Sequence, residues 1–314
     1  MAARGAYLAL SGLMALAGCD TFTTERLEPP PPVPAPAPEP PQRSADSLAL
    51  ERYYARIETS LASQGLLRTD GGGRDTPWDA EDLTRNFIRI ATFEEYDTLG
   101  DRIVQRQTES RIHRWETPVR LEMEFGETVS PVKQLKDTDA VKKLVRRLGA
   151  ATGHPIRMVE SGGNFHVIVV NEDERRALGP RLRQLVPTIS DSAVETVTLL
   201  PRTSYCLVFA VTPRGDGVYT RAVAVIRAEH PDLLRLSCLH EEITQGLGLS
   251  NDHPLARPSI FNDDEEFALL TSQDEAMLAI LYDDRLKPGM SGAAAGPIVE
   301  EIAAELTGDG PGGF

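Results

Sequence analysis

The chain has 314 residues, of which 41% are hydrophobic, and its formal net charge is −14 at pH 7. This length is sufficient for one large hydrophobic core or for two lobes. The excess of negative charge argues against a nucleic-acid partner, because binding to a phosphate backbone requires a basic surface. The acidity mainly predicts a soluble domain and indicates no particular substrate.

The first 18 residues have the pattern of a secretory leader. A short stretch with Arg4 precedes an apolar run from Ala6 to Ala17, and small residues follow. The run is too short to span a bilayer, which takes about 20 apolar residues in a helix. The sequence has no second apolar run of that length, so it predicts a periplasmic location for the remaining chain.

The leader ends in Leu16-Ala17-Gly18-Cys19, which resembles the lipobox of bacterial lipoproteins. The resemblance implies cleavage before Cys19 and acylation of its thiol and new amine, so that acyl chains anchor the protein to a membrane. Asp20 implies retention in the inner membrane, as it does in enteric bacteria. The expected location is the cell envelope, with the chain lipid-anchored and facing the periplasm. The alternative is an ordinary signal peptide followed by a chance cysteine.

Residues 19–45 are predicted to comprise the lipidated cysteine and a disordered tether. The run from Pro29 to Pro41 is too rich in proline to form a core and favours extended polyproline II. At about 3.1 Å per residue, it would hold the domain roughly 40 Å from the lipid. A spacer is the expected role, and a proline-binding partner is the alternative.

Residues 46–290 are predicted to form one folded domain, and the glycine-rich residues 291–314 are predicted to form a frayed tail. Asp46 is the expected N-cap of the first helix, and acidic residues 263–266 predict a solvated helix start. The predicted helices cover 46–64, 172–186, 232–247 and 272–282, and a further helix is capped by Asp137 or Asp139 and ends at Gly149 or Gly153. The predicted strands cover 86–96, 116–125, 156–160, 165–170, 205–211 and 218–226. Strands and helices do not alternate strictly, so the order favours an α+β fold, a mixed β-sheet with packed helices.

Cys206 and Cys238 are the cysteines that remain after lipidation of Cys19. In an oxidising compartment, a disulfide between them is the most economical prediction. A redox-active pair is the alternative, but the sequence lacks the Cys-x-x-Cys spacing that would support it.

The helix that begins near residue 232 carries an incomplete zinc-peptidase motif. Such a motif needs two histidines at i and i+4, because this spacing places both imidazoles on one helical face. His240 and Glu241 match its beginning, but residue 244 is threonine, which is not a credible second zinc ligand.

A second register, anchored on Gly248, resembles the metzincin pattern His-Glu-x-x-His-x-x-Gly-x-x-His. In this register Glu241, Gln245 and Asn251 take the three ligand positions, and Glu242 takes the position of the catalytic glutamate. Residues 259–262 resemble the Met-turn of that family, and residues 270–282 resemble its C-terminal helix. The resemblance implies a zincin-like fold from which all three histidines are absent.

Three interpretations remain open for this helix. The first is a zincin-like module without peptidase activity, which binds envelope proteins or peptides or has a structural role, and which needs no cofactor. The second is an envelope metallopeptidase with zinc or another divalent cation and with Glu242 as general base; His240 and His253 are then further candidate metal ligands. The third is an unrelated α+β domain in which Glu241, Glu242 and Gln245 form a polar helix face.

The C-terminal half resembles a group of proteobacterial lipoproteins catalogued as domain of unknown function 2927. The phrases that carry the resemblance are residues 240–252, Arg257-Pro-Ser-Ile-Phe-Asn-Asp263 and Leu286-Lys-Pro-Gly-Met290. The resemblance implies a zincin-like fold and an envelope location, and it implies no substrate.

Overall fold

The fold of the protein is known from a computed structural model that describes residues 42–99, 102–262 and 264–308. The predicted leader (1–18) and most of the predicted tether (19–45), Cys19 included, lie outside the described residues. Within the described ranges, no helix combines the length and the apolarity that crossing a membrane would require.

The described chain contains groups of short strands and groups of helices, and the helices differ widely in length. The helices are α1 (Ala45–Ser63), α2 (Ala80–Ala91), α3 (Pro131–Thr152), α4 (Glu172–Arg176), α5 (Gly179–Leu185), α6 (Asp191–Thr198), α7 (Asp232–Gln245), α8 (Ser272–Tyr282) and α9 (Gly292–Thr307). The strands are β1 (Phe93–Leu99), β2 (Arg102–Glu109), β3 (Arg114–Trp115), β4 (Val119–Phe125), β5 (Ile156–Val159), β6 (Phe165–Val170), β7 (Cys206–Val211), β8 (Val218–Tyr219) and β9 (Arg221–Arg227).

A five-stranded mixed sheet organises these elements, with the strand order β5-β4-β6-β9-β7. Strands β5, β4, β6 and β9 are parallel, and β7 is antiparallel to β9 at one end of the order. Side chains alternate between the two faces of a strand. In β6, Phe165 and Val167 therefore join the larger core, while Ile168 and Val170 join a second core.

Helices cover both faces of the sheet. Buried residues of α2, α3, α7, α8 and α9 belong to the larger core, and buried residues of α5 and α6 belong to the second. This arrangement explains why every residue of β6 is buried. The predicted α+β fold, a mixed sheet with packed helices, is confirmed.

The segment predicted as a strand over 86–96 is mostly helix α2. Asp79 caps this helix, because its side chain accepts a hydrogen bond from the main-chain N–H of Asp82 at 2.9 Å. The buried residues Leu83, Phe87 and Ile90 recur at spacings of three and four, which is the helical period. The prediction of a strand was wrong because it rested on the local alternation of apolar and polar residues and did not use the cap before them.

The segment predicted as a frayed tail contains helix α9, which packs against α2 and α8. Ser291 caps the helix, and Ala295, Val299 and Ile302 are buried at helical spacing. Small residues predict low order when they are read alone, but here they allow close packing. The added Cβ of an alanine at residue 292 would lie 2.7 Å from the Thr92 hydroxyl.

Two smaller expectations also differ from the structure. Ser44, and not Asp46, caps α1 by accepting a hydrogen bond from the Ser47 N–H at 3.2 Å. Residues 264–266 form no helix; the Glu266 carboxylate instead accepts hydrogen bonds from Arg257.

A disulfide joins Cys206 at the start of β7 to Cys238 in α7, as the sequence predicts. The Cα atoms of the two cysteines are 5.9 Å apart, and the bond closes a sequence separation of 32 residues. It fixes the position of the end strand of the sheet relative to the helix with the incomplete motif.

Candidate functional site

A cleft of about 520 Å³ runs between β7 and α7. One wall consists of five consecutive β7 residues, from Cys206 to Ala210. The other wall contains Glu241, Glu242 and Gln245 of α7. The three α7 side chains that the sequence placed in a cleft are therefore brought together.

The local structure of α7 fixes these side chains. Residues i and i+4 of a helix share a face, which aligns Glu241 with Gln245. The helix ends at Gly246, whose carbonyl accepts a hydrogen bond from the Trp115 indole N–H at 2.8 Å. A Cβ at Gly246 would lie 2.3 Å from the Phe165 ring, so glycine lets the helix end pack directly on the sheet.

His240 begins the motif, but it does not line the cleft. It is 8% exposed, and its Nδ1 accepts a hydrogen bond from the main-chain N–H of Leu270 at 3.0 Å. The neutral ring then carries its proton on Nε2, so no lone pair is left for a metal. Burial, together with the charge of Arg147, lowers the pKa of His240 to about 4.

Asn251, the third ligand position of the metzincin register, is a structural residue. Its side-chain amide donates to the carbonyl of Arg89 at 2.9 Å, and its main-chain N–H donates to the carbonyl of Ile90 at 3.1 Å. These bonds attach the loop after α7 to the end of α2. Asn251 is 1% exposed and does not line the cleft.

Gly248, which anchors that register, also has a structural explanation. Its φ is 127°, and a Cβ at this position would lie 2.0 Å from the carbonyl oxygen of His113. Only glycine permits this backbone conformation and this close approach. The match at Gly248 is therefore explained by the turn that leaves α7, whether or not a metal binds.

Two further acidic residues line the cleft: Asp252, which the sequence suggested only as a partner of His240 and His253 in a site, and Glu265, which it did not select. Asp252 follows α7, and Glu265 comes from the distant loop before α8. Glu265 has a φ of 59°, a left-handed conformation that is uncommon for a residue other than glycine. Asp252 could have been found from its position six residues beyond the C-cap of α7, but no sequence signal places Glu265 there.

The oxygen-bearing side chains of α7 could hold a hard cation. Donor atoms of Glu241, Glu242 and Cys206 lie within 4.8 Å of one another. The sulfur of Cys206 is bound in the disulfide and is not a thiolate donor. The two carboxylates, with the Gln245 amide nearby, suit calcium or magnesium better than zinc.

The remaining histidines do not supply an imidazole to this cleft. His253 does not line it, and in the described part of the chain neither His253 nor His240 belongs to a group of three potential metal ligands. His166 forms such a group with Glu122 and Glu124, on β4 and β6. There Glu124 already accepts two hydrogen bonds from the Arg181 guanidinium, at 2.7 and 2.8 Å.

The fold and the cleft together define an α+β domain with an acidic cleft along the end strand of its sheet. The chain belongs to the family described as "Protein of unknown function (DUF2927)", whose model matches residues 80–301. The match includes the whole five-stranded sheet and every residue that lines the cleft. The search of curated proteins returned no match for this sequence.

Proposed function

We propose that the protein is a lipid-anchored periplasmic lipoprotein whose zincin-like domain lacks peptidase activity and binds an extended polypeptide segment of the envelope. The lipobox-like sequence that ends at Cys19 supports the anchor. The mixed sheet, the helix beside its end strand and the metzincin-like register of α7 support the comparison with zincins.

The absence of imidazole from the cleft is the observation that carries the proposal. None of the described residues that line it is a histidine. The lone pair of His240 Nδ1 is engaged by the Leu270 N–H, and Asn251, whose side-chain NH₂ donates to the Arg89 carbonyl of α2, does not line the cleft. A zinc peptidase needs nitrogen or thiolate ligands around an open metal position, and this set of side chains does not provide them.

The wall formed by β7 supports polypeptide binding. Among the described strands, β7 pairs only with β9, so its other edge faces the cleft. An extended peptide can add to such an edge through main-chain hydrogen bonds, with side-chain pockets providing specificity. The described lining includes four acidic residues and neither Lys nor Arg, which favours a basic segment: Glu241, Glu242, Asp252 and Glu265.

Peptide titration tests this proposal. A synthetic peptide of alternating Lys and Val should bind the protein, and a peptide of alternating Glu and Val should bind at least about tenfold more weakly. Glu241→Lys should weaken binding of the basic peptide about tenfold, whereas the matched reversal Glu195→Lys on the exposed face of α6 should leave it unchanged. Equal affinity for the two peptides would contradict the proposal.

A metal-dependent hydrolase is the second candidate, and the proximity of Glu241 and Glu242 in the cleft favours it. In this case Glu242, which is 3% exposed, would act as general base for a metal-bound water. Metal analysis of protein purified without chelator separates the candidates. Stoichiometric metal, with peptide cleavage that is lost in Glu242→Gln, would replace the binding proposal with this one.

The anchor has its own test. Growth with radiolabelled palmitate should label the protein, and Cys19→Ser should abolish the label. Fractionation of the labelled cells should then place the protein in the inner membrane, as Asp20 implies. Label that persists in Cys19→Ser would refute the assignment of the lipidation site.

A further inference from the structure

A second cavity, of about 810 Å³, lies between α1 and the segments that contain α4 and the end of α6. Its charge is opposite to that of the protein as a whole, whose net charge is −14. Five arginines and only two carboxylates line it: Arg56, Arg175, Arg176, Arg202 and Arg227, with Asp46 and Glu172.

Helix α1 forms one wall of this cavity. Its lining residues are Asp46, Ala49, Leu50, Tyr53 and Arg56, which follow one another at helical spacing along a single face. The opposite face of α1 is held in place by buried contacts. Ser47 donates a hydrogen bond to the Glu229 carboxylate at 2.6 Å, so the wall belongs to the folded domain and not to the tether.

The floor of the cavity carries an excess of positive charge. Glu172 accepts hydrogen bonds from Arg175 and Arg227, at 2.7 and 2.6 Å, and Arg176 lies 2.9 Å from the same carboxylate. Three guanidinium groups thus share one buried carboxylate. Burial lowers the pKa of Arg175, and the charges of Arg227 and Arg176 lower it further. Burial is the largest of these causes, and the hydrogen bond to Glu172 acts in the opposite direction, so the carboxylate compensates part of the positive charge of the three guanidinium groups.

Two arginines at the rim remain available to a ligand. In the described chain, neither Arg56 nor Arg202 forms an ion pair with a carboxylate within 4.0 Å, and both are exposed. The guanidinium carbon of Arg202 lies 5.0 Å from the centre of the Tyr53 ring. The carbonyl of Arg202 accepts a hydrogen bond from the Tyr54 hydroxyl at 3.0 Å. Both contacts hold Arg202 at the rim before any ligand binds.

We propose that this cavity binds a phosphate group, through Arg56 and Arg202 at the rim and with Arg176 beside them. The planar guanidinium group donates two parallel hydrogen bonds to phosphate oxygens, and several arginines in one cavity match an anion with more than one charge and three acceptor oxygens. Leu199, which is 72% exposed, and Leu50 add an apolar side to the cavity. A phosphate carried by a lipid would use that side, and free inorganic phosphate would not.

Binding measurements on the full chain with Cys19→Ser test this proposal, because this substitution removes the predicted lipid anchor and leaves the cavity unchanged. Radiolabelled inorganic phosphate is measured by equilibrium dialysis. Vesicles of phosphatidylglycerol are measured by sedimentation, with phosphatidylcholine vesicles as the neutral comparison. Arg56→Gln and Arg202→Gln should each weaken binding about tenfold, and added salt should weaken it further.

The control is the double variant Arg74→Gln and Arg157→Gln, which removes two positive charges, one more than either cavity variant, from exposed sites outside the cavity. It should keep the binding of the parent protein. Binding of phosphatidylglycerol vesicles that is lost in Arg56→Gln identifies a lipid headgroup, and binding of inorganic phosphate alone identifies a free phosphate. The proposal is overturned if neither probe binds, or if the control variant weakens binding as much as the cavity variants do. Neither outcome depends on the function of the acidic cleft.

Discussion

Two polar regions of the domain differ in how their charged side chains are arranged. At the floor of the arginine-lined cavity, the carboxylate of Glu172 is 5% exposed and is surrounded by guanidinium groups, two of which, Arg175 and Arg227, are 1% exposed. In the cleft beside β7, four acidic residues from α7 and from the segment between α7 and α8 line one space, and no basic residue joins them in the described lining.

The difference separates charge that is balanced by opposite charge inside the fold from charge of one sign in the described lining of a cleft. Buried ions are tolerated when opposite charges and hydrogen bonds compensate the loss of water, and removing one partner is costly. Like charges gathered in a cleft have an unfavourable interaction with one another, which a folded protein accepts mainly at functional sites. The Glu172 network therefore explains stability, and the cleft is the better candidate for binding.

The largest effect is expected when Glu172 is replaced by glutamine. Arg175 and Arg227 would then remain buried without their carboxylate, which should lower the free energy of unfolding by about 3–5 kcal/mol. Urea denaturation measures this change. Glu195→Gln, on the exposed face of α6, is the matched control and should stay within about 0.5 kcal/mol of the parent. Equal effects of the two substitutions would show that the network does not stabilise the fold.

Removal of the disulfide should have the next largest effect. The bond closes a loop over 32 residues, and the chain-entropy relation gives a stabilisation of about 3–4 kcal/mol for a loop of this size. Cys206→Ala with Cys238→Ala should lower the free energy of unfolding by that amount, measured in urea. A reducing agent should lower the stability of the parent to the same value and leave the double variant unchanged. Free thiols in the unfolded, unreduced parent would contradict the pairing.

The pH dependence of stability tests the structural role of His240, which accepts the hydrogen bond from the Leu270 N–H. Its pKa is about 4 in the folded protein, below its ordinary value of 6.5, because the ring is buried. Protons therefore bind the unfolded chain more readily, so the stability present above about pH 6.5 is lost as the pH falls towards 4. The loss attributable to His240 should reach up to about 3 kcal/mol.

Urea denaturation over this pH range measures the effect. His240→Gln keeps an acceptor for the Leu270 N–H but does not titrate, so its stability should depend less on pH than that of the parent. His154→Gln, which replaces a ring that contacts the carbonyl of Thr117 at an exposed position, should retain the full pH dependence. A parent and a His240→Gln variant with the same pH dependence would refute the assigned role.

The sequence predicted the elements whose pattern is local and missed those that depend on tertiary contacts. Helix α8 has the predicted bounds, Ser272 to Tyr282, because its capping box at Thr271 and Asp274 is visible in the sequence. Helix α9 was missed, since its small residues become a packing surface only against α2. Its Ser291 cap and the helical spacing of Ala295, Val299 and Ile302 are visible in the sequence, but the glycine-rich composition outweighed them in the prediction.

The candidate site likewise contains some residues that the sequence could place and others that it could not. Spacing on one helix places Glu241 and Gln245 on the same face, because residues i and i+4 of a helix are neighbours; Glu242 also lines the cleft. The roles of Asn251 and His240 depend on hydrogen bonds to distant main-chain groups, at Arg89 and Leu270. A motif register assigns such residues to ligand positions without information about those partners.

The smallest effect is expected at an exposed ion pair near the start of α7. Lys136 lies 2.6 Å from Asp232, and both side chains are more than half exposed, at 59% and 57%. Water and ions screen such a pair, so Lys136→Met should change the free energy of unfolding by less than about 1 kcal/mol. Arg235→Met offers the matched comparison, since Arg235 is 1% exposed and pairs with Asp137 at 2.8 Å.

The two substitutions remove the same charge from neighbouring positions, so urea denaturation of both separates the effect of burial from the effect of charge. Arg235→Met should lower the free energy of unfolding by about 3–5 kcal/mol, because it leaves the carboxylate of Asp137 buried without its partner. If Lys136→Met lowered the free energy of unfolding as much as Arg235→Met, ion pairs would stabilise this fold whether they are buried or exposed. The comparison of the Glu172 network with the acidic cleft would then no longer distinguish charges that stabilise the fold from charges that serve a function.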